Sequence, residues 1–161
     1  MTERIDFAGT AAADARTAML GLQKTVNECG LEQSLLELVK MRVSQINGCA
    51  FCLDMHSKDA RVRGETEQRL YLLDAWAETS FYSDRERAAL AWAETVTRVS
   101  ESHVPDDVYE ATLAEFSEQE IVYLTLAIVV INGWNRLCIS FRVEPGAYQP
   151  AIPREPREAR E

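Results

Sequence analysis

The fold class of this 161-residue chain depends on one stretch, Ser117-Glu-Gln-Glu120-Ile-Val-Tyr-Leu-Thr-Leu-Ala-Ile-Val-Val-Ile131. The residues from Ile121 to Ile131 are apolar except for one threonine and are rich in β-branched side chains, so a buried strand is the competing interpretation. The preceding Ser-x-x-Glu sequence is a capping box, in which the serine and glutamate side chains bind free amides at a helix start. This cap, the length of the stretch and the polar residues that follow it favour a long buried helix.

The remainder of the body also has the pattern of helices, separated by glycines and one proline. Helices are predicted over about residues 9–28, 31–47, 50–63, 66–77, 83–99 and 106–115. Ser83-Asp-Arg-Glu86 is a second capping box, and Asn47-Gly48 lacks the alternating flanks of a β-hairpin. The sequence therefore predicts an all-α domain of about six to seven helices.

The C-terminal end differs in composition from the body. Four of the five prolines lie in the last 17 residues, among charged side chains. Proline cannot continue a helix, and this segment has few apolar residues to bury. We predict an all-helical domain over residues 1–143 and a Pro-rich charged tail over residues 144–161 that is mobile or lies across a neighbouring surface.

Composition argues against several classes of protein. The chain has 26 acidic and 17 basic residues, a net charge of −9, which does not favour binding to nucleic acid or to an anionic membrane. The N-terminus has no basic start followed by an apolar segment, so no secretory signal is predicted. The apolar stretch from Ile121 to Ile131 is shorter than the ~20 residues that cross a bilayer. Four cysteines are too few for a disulfide scaffold. We expect a cytoplasmic protein without nucleic-acid or membrane partners.

Two cysteines and a histidine follow the second predicted helix, in Asn47-Gly-Cys49-Ala-Phe-Cys52-Leu-Asp-Met-His56. A Cys-x-x-Cys pair at a helix start can close a disulfide with little backbone movement, and the free amides and helix dipole there stabilise a thiolate. Cys49, Cys52 and His56 share one helical face, and an imidazole one turn beyond a thiol can accept its proton. The pattern predicts a redox dithiol with an adjacent base at a solvent-reachable helix tip.

A carboxylate that orients the imidazole would complete this group, and Glu37 is the candidate. It interrupts the apolar residues of 35–39 in the preceding helix, where an exposed acidic residue is unexpected. Two alternatives stay open for the cysteines. They are buried structural residues, or they bind zinc together with His56, although no clear fourth ligand is visible.

These residues carry a resemblance to a known family. The order Glu37, eleven residues, Cys49-x-x-Cys52, three residues and His56 resembles the signature of AhpD-like alkylhydroperoxidases, in the carboxymuconolactone decarboxylase superfamily. With softer similarity toward the C-terminus, the resemblance covers about residues 30–146. It implies an all-helical fold and assembly into dimers, trimers or hexamers, and an apolar helix in a small all-α chain also favours a homo-oligomer.

The resemblance also implies roles for the motif residues. Cys52 would be the thiol activated by His56, Glu37 would complete the proton relay, and Cys49 would be the resolving thiol. Phe51 is a departure, because the best-studied members carry a histidine directly before the second cysteine. The implied reaction reduces a hydroperoxide and uses a dithiol donor, a lipoyl group or a thioredoxin-like protein, with no metal or organic cofactor. A lyase-like reaction on a small organic acid and a non-enzymatic interaction module remain the alternatives.

The other residues that stand out have simpler interpretations. Cys29 and Cys138 are isolated in the sequence and are interpreted as structural cysteines. Several residues after the apolar stretch either shape the mouth of a site or belong to the core and caps: Asn132, Trp134, Asn135 and Arg136.

Overall fold

The structure, a computed structural model, describes residues 2–6, 9 and 12–150. In this part of the chain there are eight α-helices, one 3₁₀ helix and no β-strand. The α-helices are α1 (Ala13–Asn27), α2 (Gln33–Asn47), α3 (Ala50–Val62), α4 (Glu67–Leu72), α5 (Asp84–Thr97), α6 (Val99–Ser102), α7 (Asp106–Glu115) and α8 (Glu118–Phe141). The all-α class is therefore confirmed for the described residues.

The helix count exceeds the predicted six to seven because the chain breaks at two places where the sequence pattern is continuous. The segment predicted as one helix over 66–77 becomes α4 followed by a 3₁₀ helix, Leu73–Glu78, with a non-helical Ala75. Here the indole of Trp76 donates to Glu94 of α5 at 2.7 Å. After α5, the chain breaks at Arg98 and forms the short α6.

Helix α8 is the centre of the core. It contacts α1, α2, α3, α5 and α7. Its capping box forms as predicted: Ser117 Oγ accepts from the Glu120 amide, and the Glu120 side chain accepts from the Ser117 amide at 2.8 Å. Its buried side chains are Ile121, Leu124, Ala127, Ile128, Val130, Ile131, Asn135 and Cys138.

By length and composition alone, α8 would also qualify as a membrane-spanning helix. It has 24 residues, and its most apolar 18-residue window has a mean hydropathy of 1.5, with 44% of that window buried inside the fold. The core helices of globular domains meet the same criterion. Because α8 packs against five other helices, we describe it as the core helix of this domain.

A tight turn joins α2 to α3. Gly48 has φ 70° and ψ 35°, in the left-handed region that glycine adopts at little cost. The amide of Gly48 donates to the carbonyl of Gln45 at 3.2 Å, and that of Cys49 donates to the carbonyl of Ser44 at 3.0 Å. These bonds close α2 and make Cys49 the N-cap residue of α3.

A buried amide fastens α8 to the C-terminal end of α2 beside this turn. Asn135 is fully buried; its Nδ2 donates to Ser44 Oγ at 3.1 Å, and its Oδ1 accepts from Asn47 Nδ2 at 2.9 Å. The same Asn47 nitrogen donates to Asn132 Oδ1 at 2.9 Å. Asn132 and Asn135, which follow the apolar stretch, thus stabilise the packing of α8 against α2 beside the cysteines.

After α8, the described part of the predicted tail, 144–150, lies along α3. Lys58 Nζ donates to the carbonyls of Gly146 and Tyr148, at 3.2 and 3.0 Å. The hydroxyl of Tyr148 donates to Asp59 Oδ1 at 2.8 Å. The rest of the tail, 151–161, lies outside the described residues, so the division of the chain at residue 143 stays a prediction.

We predict that Asn135→Ala lowers the free energy of unfolding by about 1–3 kcal/mol, because the buried Ser44 hydroxyl and the half-buried Asn47 amide each lose a hydrogen-bond partner. The neighbouring Arg136→Ala, whose side chain is exposed, should change it by less than about 0.5 kcal/mol. Urea unfolding followed by circular dichroism measures both. Equal effects from the two substitutions would contradict a specific role for the buried amide.

Candidate redox site

The structure brings the two motif cysteines together at the first turn of α3. Cys49 Sγ and Cys52 Sγ lie 2.6 Å apart, and both residues are free cysteines with 1% of their surface exposed. A disulfide needs a sulfur–sulfur distance of about 2.05 Å. Oxidation to a disulfide therefore requires only a small movement of the side chains.

Solvent reaches this pair through a cavity rather than at an open helix tip. The predicted solvent-reachable tip is buried because α8 packs over the first turn of α3. Cys52 lines a cavity of about 380 Å³, whereas Cys49 does not. Of the two motif cysteines, a molecule in the cavity therefore meets Cys52.

The cavity has apolar walls and polar groups from several elements. Its apolar lining residues include Leu20, Phe51, Met55, Trp134 and Val143. Phe51, the departure from the family pattern, is one of them, and Tyr148 of the C-terminal segment also contributes. Glu37, His56 and the side chains of Arg16 and Arg63 supply charge and polarity. The cavity thus suits a small organic molecule that carries a polar group.

A third cysteine joins the pair from α8. The sulfur of Cys138 lies within 4.8 Å of those of Cys49 and Cys52, and Cys138 is 5% exposed. Cys138 also lines the cavity. Its interpretation as an isolated structural cysteine is incomplete, because helix packing places it against the redox motif. Cys29, by contrast, is partly buried at the edge of the core and is not a member of this group.

The three thiols are electrostatically unequal. The pKa of Cys49 is lowered to about 3, because its sulfur accepts hydrogen bonds from the thiols of Cys138 and Cys52, helped by the Cys52 amide and Asn135. The pKa of Cys52 is raised, first by its hydrogen bonds with Cys138 and Cys49 and then by burial. The pKa of Cys138 is raised to about 12, mainly by its hydrogen bond to Cys49. In the resting site, negative charge therefore concentrates on Cys49, as its N-cap position favours.

A buried ion chain lies beside the cysteines. Glu37 Oε2 is 2.8 Å from His56 Nδ1, and Lys40 Nζ donates to Glu37 Oε1 at 3.0 Å. All three residues are buried. Burial alone would raise the pKa of Glu37, but the hydrogen bond and charge of His56, followed by those of Lys40, outweigh it and lower that pKa to about 2. Glu37 is therefore a carboxylate at neutral pH.

The charge of Glu37 determines which ring nitrogen of His56 carries a proton. A carboxylate can only accept, so Nδ1 of His56 carries a proton and donates to Glu37, and in the neutral imidazole Nε2 is the nitrogen that can accept a proton. His56 and Cys52 line the same cavity, one helical turn apart. Across residues 12–150 no direct hydrogen bond joins them. A proton can pass between them through water or a substrate in the cavity.

Two groups of potential metal ligands are present among the described residues. One contains the three sulfurs, and the other contains Glu37, His56 and Asp59; within each group the ligand atoms lie within 4.8 Å of one another. The zinc set considered from the sequence, in which His56 completes Cys49 and Cys52, is not assembled. The imidazole belongs to the carboxylate group instead.

All four residues predicted for the site lie at one place in the fold, but the sequence analysis does not place two of their neighbours, Lys40 and Cys138, in the site. Lys40 is one turn from Glu37, and the helical spacing of opposite charges could have indicated it. Asn135, for which the sequence leaves both a site and a core position open, lies in the core beside the cysteines. Cys138 has no sequence signal, because only the packing of α8 brings it to the motif.

Comparison with known proteins identifies the family. Residues 10–95, just over half of the chain, match the family model described as Carboxymuconolactone decarboxylase family. The protein YdfG of Bacillus subtilis (strain 168) is 42% identical over 140 residues, which cover 87% of this chain and 95% of YdfG.

Solved structures share the fold. A protein of unknown function from Agrobacterium tumefaciens, provisionally assigned to antioxidant defence as AhpD, is 42% identical, with a TM-score of 0.88 over 91% of this chain and 100% of that one. A peroxidase-related protein from Ralstonia eutropha JMP134, described as an alkylhydroperoxidase AhpD core, is 18% identical, with a TM-score of 0.75 over 84% and 73% of the two chains. The second likeness concerns the fold alone. The chain is an AhpD-like member of the carboxymuconolactone decarboxylase family.

Proposed function

We propose that the protein is a thiol-dependent peroxidase that reduces organic hydroperoxides with the Cys49–Cys52 pair. One observation carries the proposal: two free sulfurs lie 2.6 Å apart, and one of them opens onto a cavity that also contains a carboxylate-bound histidine. Two structural cysteines do not require a cavity or a base. The provisional antioxidant assignment of the A. tumefaciens relative agrees with this activity.

In the first step, Cys52 attacks the hydroperoxide, because it is the member of the pair that faces the cavity. Its raised pKa means that attack requires a base. His56 Nε2 takes the thiol proton, and the Glu37 carboxylate stabilises the resulting imidazolium. The Cys52 sulfur bonds to the distal oxygen, the O–O bond breaks, and the leaving alkoxide receives the proton from His56. The products are an alcohol and a sulfenic acid on Cys52.

In the second step, Cys49 resolves the sulfenic acid. Its lowered pKa keeps it as a thiolate, which is the nucleophilic form. Cys49 attacks the Cys52 sulfur, hydroxide leaves and takes up a proton to become water, and the disulfide forms. The electrostatic inequality of the pair thus matches two different roles, an attacking thiol that needs a base and a resolving thiol that does not.

A dithiol donor must then return two electrons by thiol–disulfide exchange. Its thiolate would attack Cys52 through the cavity, because Cys49 is enclosed. A slender dihydrolipoyl arm could enter a cavity of about 380 Å³ directly, whereas a thioredoxin-like protein would have to insert part of its active-site loop. The cavity therefore favours the lipoyl donor of the two.

A second candidate is a lyase-type reaction on a small organic acid. Arg16 and Arg63 both line the cavity and could bind a carboxylate. Such a reaction requires no sulfur oxidation, so Cys52→Ser would preserve it while removing the peroxidase activity. This single variant separates the two candidates.

We predict that one equivalent of cumene hydroperoxide removes two titratable thiols per wild-type chain and none from Cys52→Ser. Quantitative thiol titration after gel filtration measures the loss. Cys29→Ser is the matched control, because Cys29 lies outside the cluster, and it should still lose two thiols. A folded wild-type protein that retains all its thiols under excess hydroperoxide would contradict the peroxidase proposal.

The relay can be tested separately. We predict that His56→Ala shifts alkylation of Cys52 to higher pH, because the thiol loses its base. A combined Glu37→Gln and Lys40→Met variant should shift it in the same direction; the Lys40 change avoids an unpaired buried ammonium.

Iodoacetamide labelling between pH 5 and 10, with peptide mass spectrometry of Cys52, gives the profile. Glu67→Gln, at an exposed pair with Arg61, is the charge control and should leave the profile unchanged. Above about pH 4 the carboxylate of Glu37 contributes no titration of its own, since its pKa is about 2. Wild-type profiles in both relay variants would exclude His56 and Glu37 from thiol activation.

A further inference from the structure

The group of three sulfurs extends the proposed chemistry. We propose that Cys138 is a third redox-active thiol, which competes with Cys49 as the resolving partner for oxidised Cys52. The inference rests on the proposed peroxidase function, since it concerns the fate of the sulfenic acid formed there. It assigns a chemical role to a residue that lies far from the Cys-x-x-Cys motif in the sequence.

The position of Cys138 favours a reaction with Cys52. The Cys138 sulfur lies within 4.8 Å of the Cys52 sulfur, so a change of side-chain rotamer can bring the two toward bonding distance. Cys52 and Cys138 both line the cavity, but Cys49 does not. A hydroperoxide that reaches Cys52 through the cavity therefore produces the sulfenic acid in the space that Cys138 also lines.

The protonation of the three sulfurs favours Cys49 as the first resolving partner. In the resting site Cys138 is held as a thiol by its hydrogen bond to the Cys49 thiolate, which raises its pKa to about 12. Cys49 is thus the faster resolving nucleophile while it is present. When Cys49 is replaced by serine, the main cause of the raised Cys138 pKa is removed. Cys138 is then the remaining sulfur beside Cys52.

The reaction balances without a further reagent. Cys52 sulfenic acid and the Cys138 thiol condense to a Cys52–Cys138 disulfide and water, since the thiol proton joins the departing hydroxide. The Cys49 thiolate can then attack Cys52, which forms the Cys49–Cys52 disulfide and releases Cys138 as a thiolate. This exchange involves no net oxidation, so the cluster can move its disulfide between two partners.

The test begins with Cys49→Ser treated with one equivalent of cumene hydroperoxide. We expect the loss of two thiols per chain and a Cys52–Cys138 cross-link in peptide mass spectrometry under non-reducing conditions. Cys49→Ser with Cys138→Ala should lose one thiol and should retain a Cys52 sulfenic acid that dimedone traps. Cys49→Ser with Cys29→Ser is the matched control and should behave like Cys49→Ser alone.

The outcomes separate this inference from the proposed function. A Cys49→Ser protein that stops at a dimedone-reactive Cys52, while the wild type loses two thiols, would overturn the role of Cys138 and preserve the peroxidase. If the wild type does not react with hydroperoxide, diamide replaces it as a direct oxidant of dithiols. A Cys52–Cys138 bond formed by diamide in Cys49→Ser supports the pairing, and its absence overturns it. Stoichiometric zinc that protects all three thiols from alkylation would also overturn it.

Discussion

The left-handed turn at Gly48 is the constraint on which the site depends. It ends α2 and begins α3 within three residues, so Cys49 becomes an N-cap and Cys52 follows in the first turn. The same turn packs α3 against α2, so that His56 Nδ1 lies 2.8 Å from Glu37 Oε2. One backbone conformation therefore places Cys52 and the Glu37–His56 pair on the wall of the same cavity.

Hydrogen bonds between these buried groups give them distinct properties. In a poorly solvated site, the sulfurs act as one another's hydrogen-bond partners, and the available negative charge concentrates on Cys49. Glu37 remains ionised because it has two partners, Lys40 and His56. The proposed division between an attacking Cys52 and a resolving Cys49 follows from this inequality together with the position of the cavity.

The sequence predicts features that local interactions determine. Both capping boxes form, the long apolar stretch is a helix, and Gly48 ends α2 as the sequence pattern indicates. The spacing from Glu37 to His56 predicts a contact that depends only on two adjacent helices. The sequence does not predict what distant packing creates: the break after α4, which lies beside the Trp76–Glu94 contact, and the approach of Cys138 on α8. Such contacts depend on helix crossings that no local pattern encodes.

A redox titration of the cysteines tests the central claim most directly, namely that the buried Cys49–Cys52 pair is a reversible two-electron couple. The protein would be equilibrated in dithiothreitol or glutathione buffers of graded potential and then alkylated for mass measurement. The account predicts one transition for Cys49 and Cys52, with a slope of about 30 mV per tenfold change and a midpoint between about −300 and −180 mV. Cysteines that remain fully alkylated across this whole range would contradict it.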